Sequence, residues 1–105
     1  MELAAIQKLI SMFVEEYNLT ASTEIRMLDL FSEIGELSKE YLKGSDYGKE
    51  AFCRPPKWEE EFGDVLFSLI CIANSTGVDM EAVLVSAINK YKSRFAVKGD
   101  IGSDN

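Results

Sequence analysis

Two short stretches carry residues whose types and spacing could do chemistry: Glu33-Ile34-Gly35-Glu36 and Glu61-Phe62-Gly63-Asp64. Each reads acid, bulky apolar residue, glycine, acid, and each lies in a segment with helical periodicity. On a helix advancing about 100° per residue, positions i and i+3 sit roughly 60° apart on one face. Each stretch therefore points two carboxylates the same way, and two such helices packed side by side would bring four carboxylates together. That cluster repels itself unless a cation sits in it. Oxygen-only donors suit a hard divalent ion such as Mg2+, with Mn2+ as a substitute. A single Glu-x-x-Glu usually marks a solvated helix face. Two pairs with the same internal glycine, one of them on a mostly apolar segment, favour a metal site on Glu33, Glu36, Glu61 and Asp64.

Four helices are expected to position these groups, making the fold all-α. The first spans about Leu3 to Tyr17 on Leu3, Ile6, Ile10, Phe13, Val14 and Tyr17, and is broken by Asn18-Leu19-Thr20. The second spans about Thr23 to Leu42, capped by Thr20 or Ser22, with an acidic stripe of Asp29, Glu33, Glu36 and Glu40. Gly35 within it costs about 1 kcal/mol relative to alanine, which close approach of a neighbouring backbone would explain. Gly44 is the expected stop. A polar loop follows to Lys57, long enough to be functional or mobile. The third helix is expected from Pro56 to Ser75. It is apolar almost all round from Val65 to Ala73, so burial on most sides is expected, yet it bears the polar stripe Lys57, Glu61, Asp64 and Ser68. Thr76-Gly77 ends it and Asp79 caps a fourth helix running to about Phe95. The domain is expected over residues 1–97, with 98–105 a flexible tail. Cys71 reads as core, Asn74 as a helix-terminus residue, and Trp58 as packing or interface with base stacking as an alternative.

Composition removes several function classes. The chain has 105 residues, 47% hydrophobic and 28% charged, which bounds it to one domain. Its net charge of −7 argues against a nucleic-acid polymer as partner. With no histidine, Ser-His-Asp catalysis, Cys-His catalysis and histidine metal sites are excluded. Two cysteines without ligand spacing fit a reduced, cytoplasmic setting. The longest apolar run, 65–73, is too short to cross a membrane, so no membrane partner is expected.

The stretches Glu-Ile-Gly-Glu-Leu, Glu-Glu-Phe-Gly-Asp-Val-Leu and Ala-Asn-Ser-Thr-Gly-Val-Asp, followed by Lys-Tyr-x-x-Arg-Phe, resemble the MazG family of nucleoside triphosphate pyrophosphohydrolases. The likeness covers about Thr23 to Phe95. It implies subunits pairing into helical bundles, as a homodimer or a homotetramer built as a dimer of dimers. It also implies hydrolysis of a nucleoside triphosphate, a deoxynucleotide or non-canonical one included, to monophosphate and pyrophosphate. It carries metal binding onto Glu33, Glu36, Glu61 and Asp64. The last helix departs from the pattern. A lysine common in the family falls at Ala87, leaving Lys90 as its substitute or the phosphate contacts different, with Arg94 the second candidate for the substrate.

The reading that follows is a small Mg2+-dependent hydrolase. Water, activated by the metal or by Glu36 or Glu61 as base, attacks the α-phosphorus, and Glu40 and Glu60 lie at the margin. The alternatives are a non-catalytic helical dimerisation module, whose acid pairs would face solvent separately, and the same fold acting on a phosphoribosyl nucleotide such as phosphoribosyl-ATP.

Overall fold

A computed structural model describes residues 1–99 and Gly102. Four helices run in the order α1 (Leu3–Glu16), α2 (Thr23–Gly44), α3 (Trp58–Ser75) and α4 (Met80–Lys98), with no strand among the described residues. The expected elements are all present, and their ends move by short stretches for local reasons. Helix α1 stops at Glu16 because Asn18 takes a left-handed φ of 58°, letting the Leu19 amide donate back to the Val14 carbonyl at 2.8 Å. Of the two candidate caps for α2, Ser22 is the one used: its hydroxyl accepts from the Ile25 amide at 3.3 Å. Helix α3 begins at Trp58, not Pro56. Pro55 to Trp58 instead forms a turn closed by a 3.1 Å bond from the Trp58 amide to the Pro55 carbonyl. Asp79 caps α4 through a 3.1 Å bond from the Ala82 amide. That helix continues one turn beyond Phe95 to Lys98, where Gly99 closes it at φ 81°. Of the expected tail, residues 100, 101 and 103–105 lie outside the described residues.

Helices α2 and α3 pack antiparallel along their length, and contacts down the seam set the register. Thr23 and Ser75 share a 3.1 Å hydroxyl contact at one end. The Ser68 hydroxyl donates to Asp29 at 2.8 Å near the middle. The rings of Tyr41 and Trp58 approach to 6.5 Å at the other end. Helix α1 lies across α3, with Phe13 edge-on to Phe67 at 6.1 Å. Helix α4 turns 103° away from α3 and packs on α1. Asn74 does more than end a helix. It exchanges two hydrogen bonds with Gln7, at 3.1 and 2.9 Å, while Gln7 also receives the Met80 amide and donates to the Val78 carbonyl. One glutamine thereby ties α1 to the α3–α4 turn.

The core is thin: Ile70, Cys71 and Ala73 of α3 are its buried apolar residues among those described. Contrary to the expectation of burial on most sides, α3 leaves Phe62, Leu66 and Leu69 more than 40% exposed, because α1 and α2 cover only part of its circumference.

The 45–57 loop is not a loose polar tether. The Ser45 hydroxyl is buried, donating to the Tyr41 carbonyl at 2.9 Å and accepting from the Gly48 amide at 3.1 Å, while Phe52 stacks on Tyr41 at 4.6 Å. Trp58 and Phe62 extend this aromatic cluster, so Trp58 is a packing residue. The return of the loop explains Gly44: a Cβ there would lie 2.6 Å from both the Cys53 carbonyl oxygen and the Phe52 ring. Gly44→Ala is therefore expected to lower stability by about 1–3 kcal/mol, as overpacking does, measured by urea denaturation. Gly35 differs from its expectation. Nothing among the described residues lies within 4 Å of a Cβ built there, so no neighbour within the chain demands glycine at that position.

Candidate metal centre

The two acidic stripes face each other because antiparallel packing runs them in opposite order. Along α2 the sequence is Arg26, Asp29, Glu33, Glu36, Glu40; opposite it, α3 runs Cys71, Ser68, Asp64, Glu61. Glu33, Glu61 and Asp64 converge, each offering a carboxylate oxygen within 4.8 Å of the other two. Glu33 and Glu61 are partly shielded and Asp64 is exposed, so the trio is open to solvent on one side. This convergence is the outcome that separates a metal-site reading from one of two independent acidic faces.

The electrostatics carry the mark of crowded like charges. Partial burial, then the carboxylates of Asp64, Asp29, Glu61 and Glu36, pushes the Glu33 carboxyl above its ordinary value of 4.5. Partial burial, then Asp64, Glu36, Glu60 and Glu40, does the same to Glu61. The charges that shift these two groups are those of neighbouring carboxylates. Three hard oxygen donors from two rigid helices, crowded against like charge, fit a hard divalent cation and fit nothing apolar or thiophilic.

The remaining acids differ in station. Glu36 is exposed and stands outside the trio, yet close enough to act on both Glu33 and Glu61. Glu40, expected only at the margin, is buried, its side chain 8% exposed and paired with Lys43 at 3.6 Å. Asp29 accepts the hydroxyl of Ser68, which is 1% exposed; that bond braces the two helices one turn from the trio. Sequence reasoning placed Asp29 and Ser68 on their stripes without pairing them. The signal was available, since Asp29 stands one turn before Glu33 and Ser68 one turn after Asp64. Lys90 and Arg94 lie on α4. The Lys90 ammonium sits 5.0 Å from the centre of the Tyr91 ring, and Arg94 is half-buried. Within one chain, then, the two cations belong to α4, which packs chiefly on α1 and not on the acid-bearing helices. Burial raises the Cys71 thiol above its ordinary range, with Arg26 opposing and Asp29 adding to the shift, as expected of a core cysteine beside the groove.

A family model described as the MazG nucleotide pyrophosphohydrolase domain matches residues 21–96, which includes both acidic stretches. The chain belongs to the MazG family. It is accordingly a hydrolase of the nucleotide pyrophosphohydrolase class. A Bacillus subtilis (strain 168) relative, described as the uncharacterized protein YpjD, is 35% identical over 94 residues, covering 87% of this chain and 80% of its own length. A Thermotoga maritima protein described as the nucleoside triphosphate pyrophosphohydrolase/pyrophosphatase MazG is 35% identical over 66 residues, covering 63% of this chain but only 23% of its own. Among solved structures, a Bacillus-conserved MazG protein described as a nucleotide pyrophosphohydrolase superposes with a TM-score of 0.73 at 32% identity, covering 87% of this chain and 89% of that one. The MazG fold is thus shared, all-α helices included.

Proposed function

We propose that the protein hydrolyses a nucleoside triphosphate, a deoxynucleotide or non-canonical nucleotide included, to the monophosphate and pyrophosphate with Mg2+ as cofactor and Mn2+ as a substitute. The convergence of Glu33, Glu61 and Asp64 across the α2–α3 seam carries the reading. These three hold the ion, and Glu36 at the edge of the trio adds a fourth carboxylate. When bound, the ion supplies charge neutralisation for the triphosphate and for the pyrophosphate that leaves. The chain's own groups do the rest. Glu36, exposed and outside the trio, keeps an oxygen for the attacking water, orients it and takes its proton as the water oxygen bonds to the α-phosphorus. The bond from that phosphorus to the αβ bridging oxygen breaks, and pyrophosphate departs. Glu61, which shares the trio and is raised by its neighbours, is the second candidate base. The Asp29–Ser68 bond keeps the stripes in register.

Lys90 and Arg94 are the proposed triphosphate contacts. Because α4 packs on α1, an assembly of copies is the means by which α4 would meet an acidic seam. A homodimer or homotetramer is also what the surface favours. The chain exposes 7815 Å², against about 5,900 Å² for a globular protein of this mass. Its radius of gyration is 17.0 Å, against about 13 Å for a closed domain of this length. Phe31 and Leu28 on α2 are 69% and 66% exposed. Light scattering at micromolar concentration is expected to give at least twice the 11.8 kDa chain mass; a single-chain mass would remove the assembly. Among the described residues no single helix is long and apolar enough to cross a membrane. A cytoplasmic setting agrees with Cys53 and Cys71 being free thiols.

The deciding experiment is a panel of nucleotides with Mg2+, products resolved. Monophosphate plus pyrophosphate is the expected result. Turnover of phosphoribosyl-ATP alone would reassign the substrate, and no turnover at all would leave a helical interaction module.

A further inference from the structure

The α2–α3 groove does not end at the carboxylates. Towards the start of α2 and the end of α3 it opens beneath α1 into a cavity of ≈ 380 Å³ whose walls include Ser11, Val14, Glu15, Ala21, Arg26 and Cys71. Arg26 stands seven residues before Glu33 and Cys71 seven after Asp64, so both helices place the cavity about 10 Å along the groove from the acids. That is the span of a pentose and the near edge of a base when the α-phosphate lies at the carboxylates. At the other end Tyr41, Phe52, Trp58 and Phe62 pack ring on ring, and the cavity of ≈ 430 Å³ that borders Trp58 and Phe62 is lined by Arg54, Glu59, Gly63 and Leu66, residues off the stripe of Glu61 and Asp64.

The walls also carry a readable pattern. One arm of the Arg26 guanidinium donates to the Leu19 carbonyl, which fixes the side chain and leaves further N–H groups. Glu15 reaches the same cavity from α1, and among the described residues no ion pair joins it to Arg26. A donor and an acceptor therefore border one space floored by Val14, Ala21 and Cys71. We infer that this cavity is the nucleoside subsite and selects bases that present a ring carbonyl beside a ring N–H, Arg26 donating to the carbonyl and Glu15 accepting from the N–H. Uracil and guanine present that edge; cytosine and adenine instead carry an amino group beside an unprotonated ring nitrogen. The volume falls within the range of small-molecule sites, and a polar pair of this kind discriminates strongly because an analogue lacking the group leaves it unpaired. The inference rests on the pyrophosphohydrolase reading for the direction in which the nucleotide lies.

The test combines turnover with mapping on the full chain. Parent protein with Mg2+ is expected to prefer UTP or GTP to ATP and CTP by about tenfold or more in kcat/KM. Glu15→Ala is expected to bring that ratio to within about threefold, and Ser11→Phe, which fills the cavity from α1, to raise KM for every nucleotide by about tenfold. The Mg2+-dependent rise in melting temperature should survive in both variants, separating subsite damage from loss of the fold or the metal. In parallel, amide chemical shifts are followed as UMP, CMP, GMP and AMP are added, with Mg2+ and with chelator. Changes centred on residues 11–15, 20–26 and 71–75, larger for UMP and GMP than for CMP and AMP, support the subsite. If nucleotides are hydrolysed but shifts centre on Tyr41, Phe52 and Trp58, or the variants keep the parent's ratio and KM, the subsite is overturned and the reaction stands. If monophosphates perturb the cavity but no triphosphate is hydrolysed, the subsite stands and the reaction falls. If no nucleotide is hydrolysed or perturbs any residue, both fall.

Discussion

Glu61→Gln is expected to reduce nucleotide turnover by roughly three orders of magnitude while the chain stays folded. The amide keeps the shape of the carboxylate but not its charge, and Glu61 belongs to the group of three whose oxygens converge within 4.8 Å among the described residues. A hard cation depends on that charge, so metal affinity and kcat should fall together. Glu36→Gln should separate them. Glu36 stands outside the trio, so its loss is expected to lower kcat by about 10²–10⁴-fold and Mg2+ affinity by less. Titration calorimetry with Mg2+ alongside steady-state kinetics reads both quantities. Equal losses in the two variants would make Glu36 a ligand only, and parent-like turnover in Glu61→Gln would end the convergent-carboxylate mechanism. Glu2 and Glu81, acids outside the seam, serve as controls for acidity as such.

Magnesium itself is expected to raise the melting temperature on the order of 10 °C. A ligand at a hundred times its Kd that binds only the native state adds about 2.7 kcal/mol, and each 1 kcal/mol moves a domain of this size by about 4–8 °C. The effect should depend on pH in a defined direction. Glu33 and Glu61 have folded-state values above the ordinary 4.5, so in chelator the native state holds more protons than the unfolded chain between those values. Their contribution therefore favours folding at low pH and is lost as pH rises through the raised range. Cation binding needs both groups ionised, so the magnesium increment should be largest near neutral pH and shrink on acidification through that range. Scanning calorimetry at matched ionic strength, with and without chelator, checks this. A melting temperature indifferent to Mg2+ at neutral pH would remove the metal from the site.

The two acidic stripes on which both predictions draw were already written in the chain. The advance of about 100° per residue places Glu33 with Glu36, and Glu61 with Asp64, before any packing occurs. Ser22 and Asp79 announced their helices for an equally local reason: a short polar side chain reaches the free amides of the first turn wherever the helix lies. Local chemistry also made the loop after Gly44 visible as an interruption, though not its packed form. Tyr41 and Phe52 stack across eleven positions of chain that no periodicity describes.

What waited for the tertiary structure is everything that depends on one helix meeting another. Glu33 and Glu36 are equivalent on α2 alone. Only the antiparallel register against α3, braced by Asp29 and Ser68, puts Glu33 in the trio and Glu36 at its edge. Glu40 read as an acid at the margin of the site until packing buried it beside Lys43. Gln7 and Asn74 are 67 residues apart and carry no mark that they bond to each other. Arg26 lies on the same stripe as Asp29 and Glu33, but a lone arginine on a helix reads as surface until α1 closes a cavity over it. The spacing within a helix follows from backbone geometry that every residue shares, whereas the meeting of two helices follows from side-chain shape and burial summed over whole faces. The chemistry of this site was therefore legible residue by residue, and its geometry only once the helices had packed.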